Sequence, residues 1–162
     1  MTKLLIIAAL AAPASADPNR TPYDAGHVTI HLGFYRLGDD LDGLRLGAGY
    51  TVIRGLELGG AVAHLWGQPA TVDVIEPFAL YNLAQWYEQL PLVPYVGLSY
   101  LHRWTDPMFY VSDAIGTRAG LQYTLEQHET LPVIIGGGVY WNHPTGDGKE
   151  EVGPEVFAIV GF

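Results

Sequence analysis

The groups in this chain able to do chemistry are Ser99, Ser112, six histidines and a scatter of arginines and carboxylates. Nucleophilic catalysis needs a hydroxyl within reach of a base that is itself held by a third group. Ser99 lies in the middle of an apolar-polar alternation, and Ser112 lies beside Asp113 in the stretch 105–113, which reads as a loop. A metal centre needs ligands at an organised spacing such as His-x-x-x-His or Glu-x-x-His. No pair among His27, His31, His64, His102, His128 and His143 has it. No metal and no cofactor are therefore expected. Cysteine is absent, which removes thiolate ligands and disulfides.

Charge is what remains. Arg45, Glu57, Asp73, Arg103 and Arg118, with Glu76 as a further partner, are candidates for an ion-pair network. A second set, Asp39, Asp40, Asp42, Asp147, Glu150 and Glu151, is purely acidic. Carboxylates so placed can hold divalent cations, although Asp40-Leu41-Asp42-Gly43 is too short for a calcium loop. The plainer reading is a solvated, repulsive surface.

Whether such charges meet depends on the elements that carry them. Apolar residues recur at period two, which predicts strands at about 28–36, 43–53, 56–66, 71–83, 93–104, 114–125, 132–142 and 154–162. A possible helical turn spans 84–89. In the first strand Val28, Ile30, Leu32 and Phe34 oppose Thr29, His31, Gly33 and Tyr35. In the sixth, Ile115, Thr117, Ala119, Leu121 and Tyr123 oppose Gly116, Arg118, Gly120 and Gln122. The second face is consistently rich in glycine and polar groups, which suits the crowded lumen of a small barrel. On this parity Arg45, Glu57, Arg103 and Arg118 project into the lumen, with Asp73 and Glu76 as partners. The fourth strand changes parity between Val74 and Pro77, so a bulge is expected near Ile75-Glu76.

The opposite face must then meet lipid, and the aromatics test this. Phe34, Trp66, Trp104 and Trp141 fall near one end of the odd strands. Tyr50, Tyr81, Tyr123 and Phe162 fall near the other end of the even strands. All eight share the apolar face, the pattern of two interfacial girdles. The predicted fold is an all-β, eight-stranded antiparallel transmembrane up-and-down barrel.

Compartment and composition point the same way. Lys3, the apolar run Leu4 to Ala12 and the small residues Ala14-Ser15-Ala16 read as a secretory signal over 1–16. Residues 17–26 read as a periplasmic tail and 27–162 as the barrel. Lys3 leaves with the signal, so seven basic residues face 17 acidic ones, a formal charge of −10 that argues against nucleic acid as a partner. The chain is 49% hydrophobic, with a mean hydropathy of +0.15, yet no later stretch is long enough for a membrane helix.

Three segments carry a family resemblance: Arg54-Gly55-Leu56-Glu57-Leu58-Gly59-Gly60, Val93-Pro94-Tyr95-Val96-Gly97-Leu98-Ser99-Tyr100 and Gly116-Thr117-Arg118-Ala119-Gly120-Leu121-Gln122-Tyr123. Here the chain resembles the small outer-membrane β-barrel domain family, which includes OmpA-like, OmpX-like and OmpW-like barrels. That likeness implies residence in the Gram-negative outer membrane after export, as a monomer, among lipid and lipopolysaccharide. It also implies that Phe162 is the end signal read by the barrel-assembly machinery. Family members have structural, adhesive, protective and small-solute roles.

The expected function is a non-enzymatic structural or surface-interaction role, the lumen being plugged by its own side chains. A narrow, porin-like pore for ions or small solutes is the alternative. A lipid-A-modifying barrel enzyme is the least favoured reading, because His102 is followed by Arg103-Trp104 rather than by the His-x-Ser-Asn pattern of lipid A deacylases.

Overall fold

Period-two alternation builds eight strands: β1 (Val28–Leu37), β2 (Leu41–Ile53), β3 (Leu56–Gly67), β4 (Thr71–Asn82), β5 (Leu92–Asp106), β6 (Tyr110–Thr124), β7 (Val133–Pro144) and β8 (Glu151–Gly161). The structure, a computed structural model, describes residues 21, 23–37, 41–67, 71–86, 92–106, 110–125 and 132–162. The signal segment 1–16 and residues Asp39, Asp40 and His128 lie outside the described residues. Each strand pairs antiparallel with its chain neighbours. The sheet closes where β1 meets β8, from Thr29↔Gly161 to Tyr35↔Glu155. Closure removes both sheet edges, the condition for strands to stand in a medium without water.

Burial is inverted relative to a soluble protein. Leu32, Leu98, Val139 and Val156 are 55–62% exposed, whereas Glu76 and Gln122 are 1% exposed. Apolar side chains point outward on all eight strands, and an apolar surface that wraps a whole barrel is stable only against hydrocarbon. The fold is thus that of a transmembrane barrel. Phe34, Trp66 and Trp141 at one end, and Tyr50, Tyr123 and Phe162 at the other, are exposed on this face. Trp104 and Tyr81 are half-buried there.

Connections are shorter than the sequence suggests. Only 38–40, 68–70, 107–109 and 145–150 separate strands at the end carrying the tryptophans. Ser112 and Asp113, expected in a loop, stand within β6, and Glu151 opens β8. At the other end β2 turns into β3 through Arg54-Gly55, with Gly55 at φ 83°. Glycine is needed there on two counts. The backbone is left-handed, and a Cβ would sit 2.5 Å from the Asn82 carbonyl oxygen. The helical turn is confined to the 3-10 segment Leu83–Trp86 among the described residues.

The fourth strand carries no bulge. Its register with β3 runs unbroken from Leu56↔Tyr81 to Leu65↔Val72. The irregularity lies instead in β2, between Thr51 and Ile53. Pro77 faces outward and lacks an N–H, so the ladder to β5 passes from Ile75↔His102 to Phe78↔Ser99 without losing register. The sequence pattern misled because Val72 and Val74 face a lumen that is apolar at their height. With Ala63, Leu65, Leu101, Ala114 and Tyr140 they form a buried cluster.

The segment before β1 is not a free tail over its described residues. Tyr23 is buried against Ala84, Val93, Ile134 and Ile159 inside the barrel end. Its carbonyl accepts the Gly55 N–H at 2.8 Å, and Asp24 lies 3.3 Å from Arg54. The barrel is therefore corked at that end by its own chain.

A closed barrel with an apolar exterior gives a direct expectation. Detergent-folded protein shows β-type circular dichroism and runs at a different gel position before and after boiling. A folded monomer soluble without detergent would contradict the fold as a membrane barrel.

Candidate functional site

Inward-facing positions on the eight strands converge on the axis, and there the charged side chains meet. Glu76 on β4 is the hub. Its Oε2 accepts from Arg45 Nε on β2 at 2.7 Å, and its Oε1 accepts from Arg118 Nη2 on β6. Arg118 Nη1 also lies 3.3 Å from Glu155 Oε2 on β8. Tyr95 on β5 donates its hydroxyl to Glu155 Oε1 at 2.8 Å. Two guanidinium groups thus face two carboxylates, linking β2, β4, β5, β6 and β8. The pairing is what lets these groups leave water, since an isolated charge in such surroundings is very costly. The Arg45 guanidinium stacks 4.9 Å from the Phe78 ring centre.

A second cluster lies toward the corked end. Glu57 Oε1 is 2.5 Å from the Thr29 hydroxyl and 2.5 Å from His31 Nε2. A Cβ at Gly49 would overlap the Glu57 carboxylate, so the small residue makes room for the acid. The third cluster is at the opposite mouth. There Arg103 forks onto Glu151 at 3.0 and 2.8 Å, and Asn142 Nδ2 lies 3.4 Å from the same carboxylate. Between these layers the lumen has little room. The cavity lined by His31, Arg45, Phe78, Leu80, Arg118 and Phe157 measures about 10 Å³, space for about one water. A wider recess of about 370 Å³ opens at the mouth beside Arg103, Glu151 and Asp147.

The structure places Arg45, Glu57, Arg103 and Arg118 in the lumen, as their parity predicts. It does not bring Asp73 there. Asp73 alternates with the inward Val72 and Val74, faces outward, and pairs with His64 at 2.7 Å. Glu76 occupies the central position instead. Glu151 is likewise not a loop acid: it lies in β8 and holds Arg103. Asp42 pairs with Arg36 at 3.7 Å and Glu150 with His143 at 2.9 Å, while Asp147 lines the mouth recess. Sequence reasoning missed Glu155 and Tyr95. Both were legible in principle, because Glu155 alternates with the outward Val156 and Tyr95 with Val96.

Ser99 is buried in the lumen, and Ser112 is registered with the inward Arg103 while its neighbour Asp113 pairs outward with His102. Among the described residues no group of three or more His, Asp or Glu gathers at metal-binding distances.

Comparison with known proteins gives a consistent but limited picture. No protein-family model matches the chain, and no curated protein does. Among solved structures, the N-terminal β-barrel domain of OprF from Pseudomonas aeruginosa shares the fold, with a TM-score of 0.60 at 16% identity, over 85% of this chain and 98% of that domain. At that identity the likeness is one of architecture.

Two expectations follow from the lumen. Arg118→Ala leaves Glu76 and Glu155 short of a buried cation and lowers unfolding free energy by about 3–5 kcal/mol. Arg36→Ala removes a pair whose side chains are about half exposed, at a cost of about 0–1 kcal/mol. Urea titration in detergent or lipid separates them, and equal losses would show that Arg118 is solvated.

The second concerns the cork. Burial pushes the Tyr23 hydroxyl above its ordinary range. Its folded form therefore holds the proton more tightly than the unfolded chain does. The associated stability is complete below about pH 10, where both states are protonated, and is lost as pH rises through the higher folded value. Tyr23→Phe abolishes that alkaline loss in a pH-dependent unfolding series; an unchanged profile would mean Tyr23 is not enclosed.

Proposed function

We propose that this chain is an outer-membrane barrel with a structural or surface-interaction role, carried out without catalysis and without solute passage. The observation that carries the reading is the filled lumen. Three polar clusters alternate with apolar layers, and the cavity beside the Arg45-Glu76-Arg118 network measures about 10 Å³. A passage for hydrated ions would need a continuous wet path along the axis. Placement in the Gram-negative outer membrane is supported by the fold shared with the OprF barrel domain and by the apolar exterior. Lipid and lipopolysaccharide are the partners this exterior suits. The secretory signal over 1–16 and the assembly signal at Phe162 belong to the same reading.

One observation favours a narrow ion pore as second reading. Arg118 already touches two carboxylates, Glu76 and Glu155, so its guanidinium has an alternative partner in place if the Glu76 contact opens. Single-channel recording in planar bilayers decides between the two. A plugged barrel gives no stable conductance, in the parent or in Arg118→Ala. A reproducible channel whose conductance changes in Arg118→Ala would replace the first reading with the second.

A further inference from the structure

The outward face carries a second charge pattern, unrelated to the lumen. At the end bearing Phe34, Trp66, Trp104 and Trp141, each hairpin holds one base and one acid side by side. In β1–β2 the pair is Arg36 and Asp42, 3.7 Å apart. In β3–β4 it is His64 and Asp73, in β5–β6 it is His102 and Asp113, each at 2.7 Å. Between β7 and β8 it is His143 and Glu150, at 2.9 Å. The first three pairs stand directly opposite each other in register. The base is always on the odd strand, two residues from that strand's girdle aromatic. The imidazoles of His64 and His102 lie 6.3 and 5.5 Å from the rings of Trp66 and Trp104. The result is a collar of alternating base and acid around the barrel.

Atom by atom, the three histidines behave alike. Each presents Nδ1 to the carboxylate, and each leaves Nε2 without a hydrogen-bond partner among the described residues. Their side chains are 58%, 44% and 64% exposed. In a neutral ring whose Nδ1–H donates to the carboxylate, Nε2 is an acceptor and repels an anion's oxygen. Once protonated, the ring still donates from Nδ1, and Nε2 becomes a donor.

We propose that this collar is a proton-dependent binding surface for the phosphate groups of lipid headgroups. The inference rests on the reading of the chain as a membrane barrel, because only then does the aromatic ring lie at the headgroup layer. With neutral imidazoles the collar holds Arg36 against four carboxylates, a formal −3 that disfavours phosphate. Three imidazolium groups bring it to zero and aim three N–H donors outward. The groups facing each ring support the switch. His64 faces Asp73, with Leu44 opposite on β2 and Asp42 one step beyond. His102 faces Asp113 and Ile75, with Tyr100 on its own strand. His143 faces Glu150 and Ile115, with Asp147 and Lys149 in the adjoining connection.

The test uses the chain with isotope-labelled histidine, folded into vesicles of phosphatidylcholine with or without phosphatidic acid. Imidazole nitrogen resonances are followed between about pH 8 and about pH 5. Phosphatidic acid should shift the Nε2 resonances of His64, His102 and His143 at the acid end of the series, and leave those of the buried His31 unmoved. It should also raise thermal stability at the acid end, and H64Q/H102Q/H143Q should lose that gain while keeping the gel shift of a folded barrel. Identical spectra in both lipids across the series would overturn the proposal, as would the same resonance shift on adding inorganic phosphate to phosphatidylcholine vesicles. Absence of a gel-shifted folded form in either lipid would overturn the membrane reading itself.

Discussion

The carboxylate of Glu76, shared between Arg45 and Arg118, is the contact on which the interior depends. A barrel of eight strands is too narrow to hold bulk water, so every charge inside it must find an opposite charge or be neutralised. Arg118 reaches on to Glu155, and Glu155 takes the Tyr95 hydroxyl, so that one connected set of groups ties five strands together. The glycines of the inner face follow from that set. A Cβ at Gly97 would lie 2.7 Å from Arg118 Cγ, and one at Gly49 would overlap Glu57. Bulk on a strand's inner face is traded for room to seat a long polar side chain from across the lumen.

Polar and apolar layers alternate along the axis, and this ordering has its own logic. The Arg45-Glu76-Arg118 layer is bounded by the buried cluster around Leu65, Val74 and Leu101 and, toward the other end, by Phe78, Leu80 and Phe157. Low-dielectric neighbours strengthen each ion pair and raise the cost of breaking it. At the termini's end, Tyr23 and the cluster beneath it seal the lumen with the chain's own lead-in. The layer that fills the barrel also supports the observed register, because a one-residue slip would turn its charged side chains toward lipid.

Outside, the solvent is reversed and so are the rules. Apolar side chains form the belt, aromatics mark its borders, and the outward acid–base pairs Arg36–Asp42, His64–Asp73, His102–Asp113 and His143–Glu150 line the rim beside the tryptophans. There the acids and bases of adjacent strands satisfy one another within each hairpin. Asp73 belongs to this outer system, and the lumen acid at β4 is Glu76, three residues away and on the other face.

Period-two alternation by itself determined the strand count, the facing of most positions and the two aromatic rings, because side-chain direction in a strand is a local property of the backbone. Arg45, Glu57, Arg103 and Arg118 could be assigned inward from their own strands for the same reason. Which acid meets which base was not local. It depends on strand tilt and on the register across five strands, so Glu155 and Tyr95 went unseen and Asp73 was misplaced. The fourth strand failed for a related cause. Val72 and Val74 are apolar on the inner face, and only closure of the barrel shows that the lumen at their height is lined by Leu65, Leu101 and Ala114 rather than by polar groups.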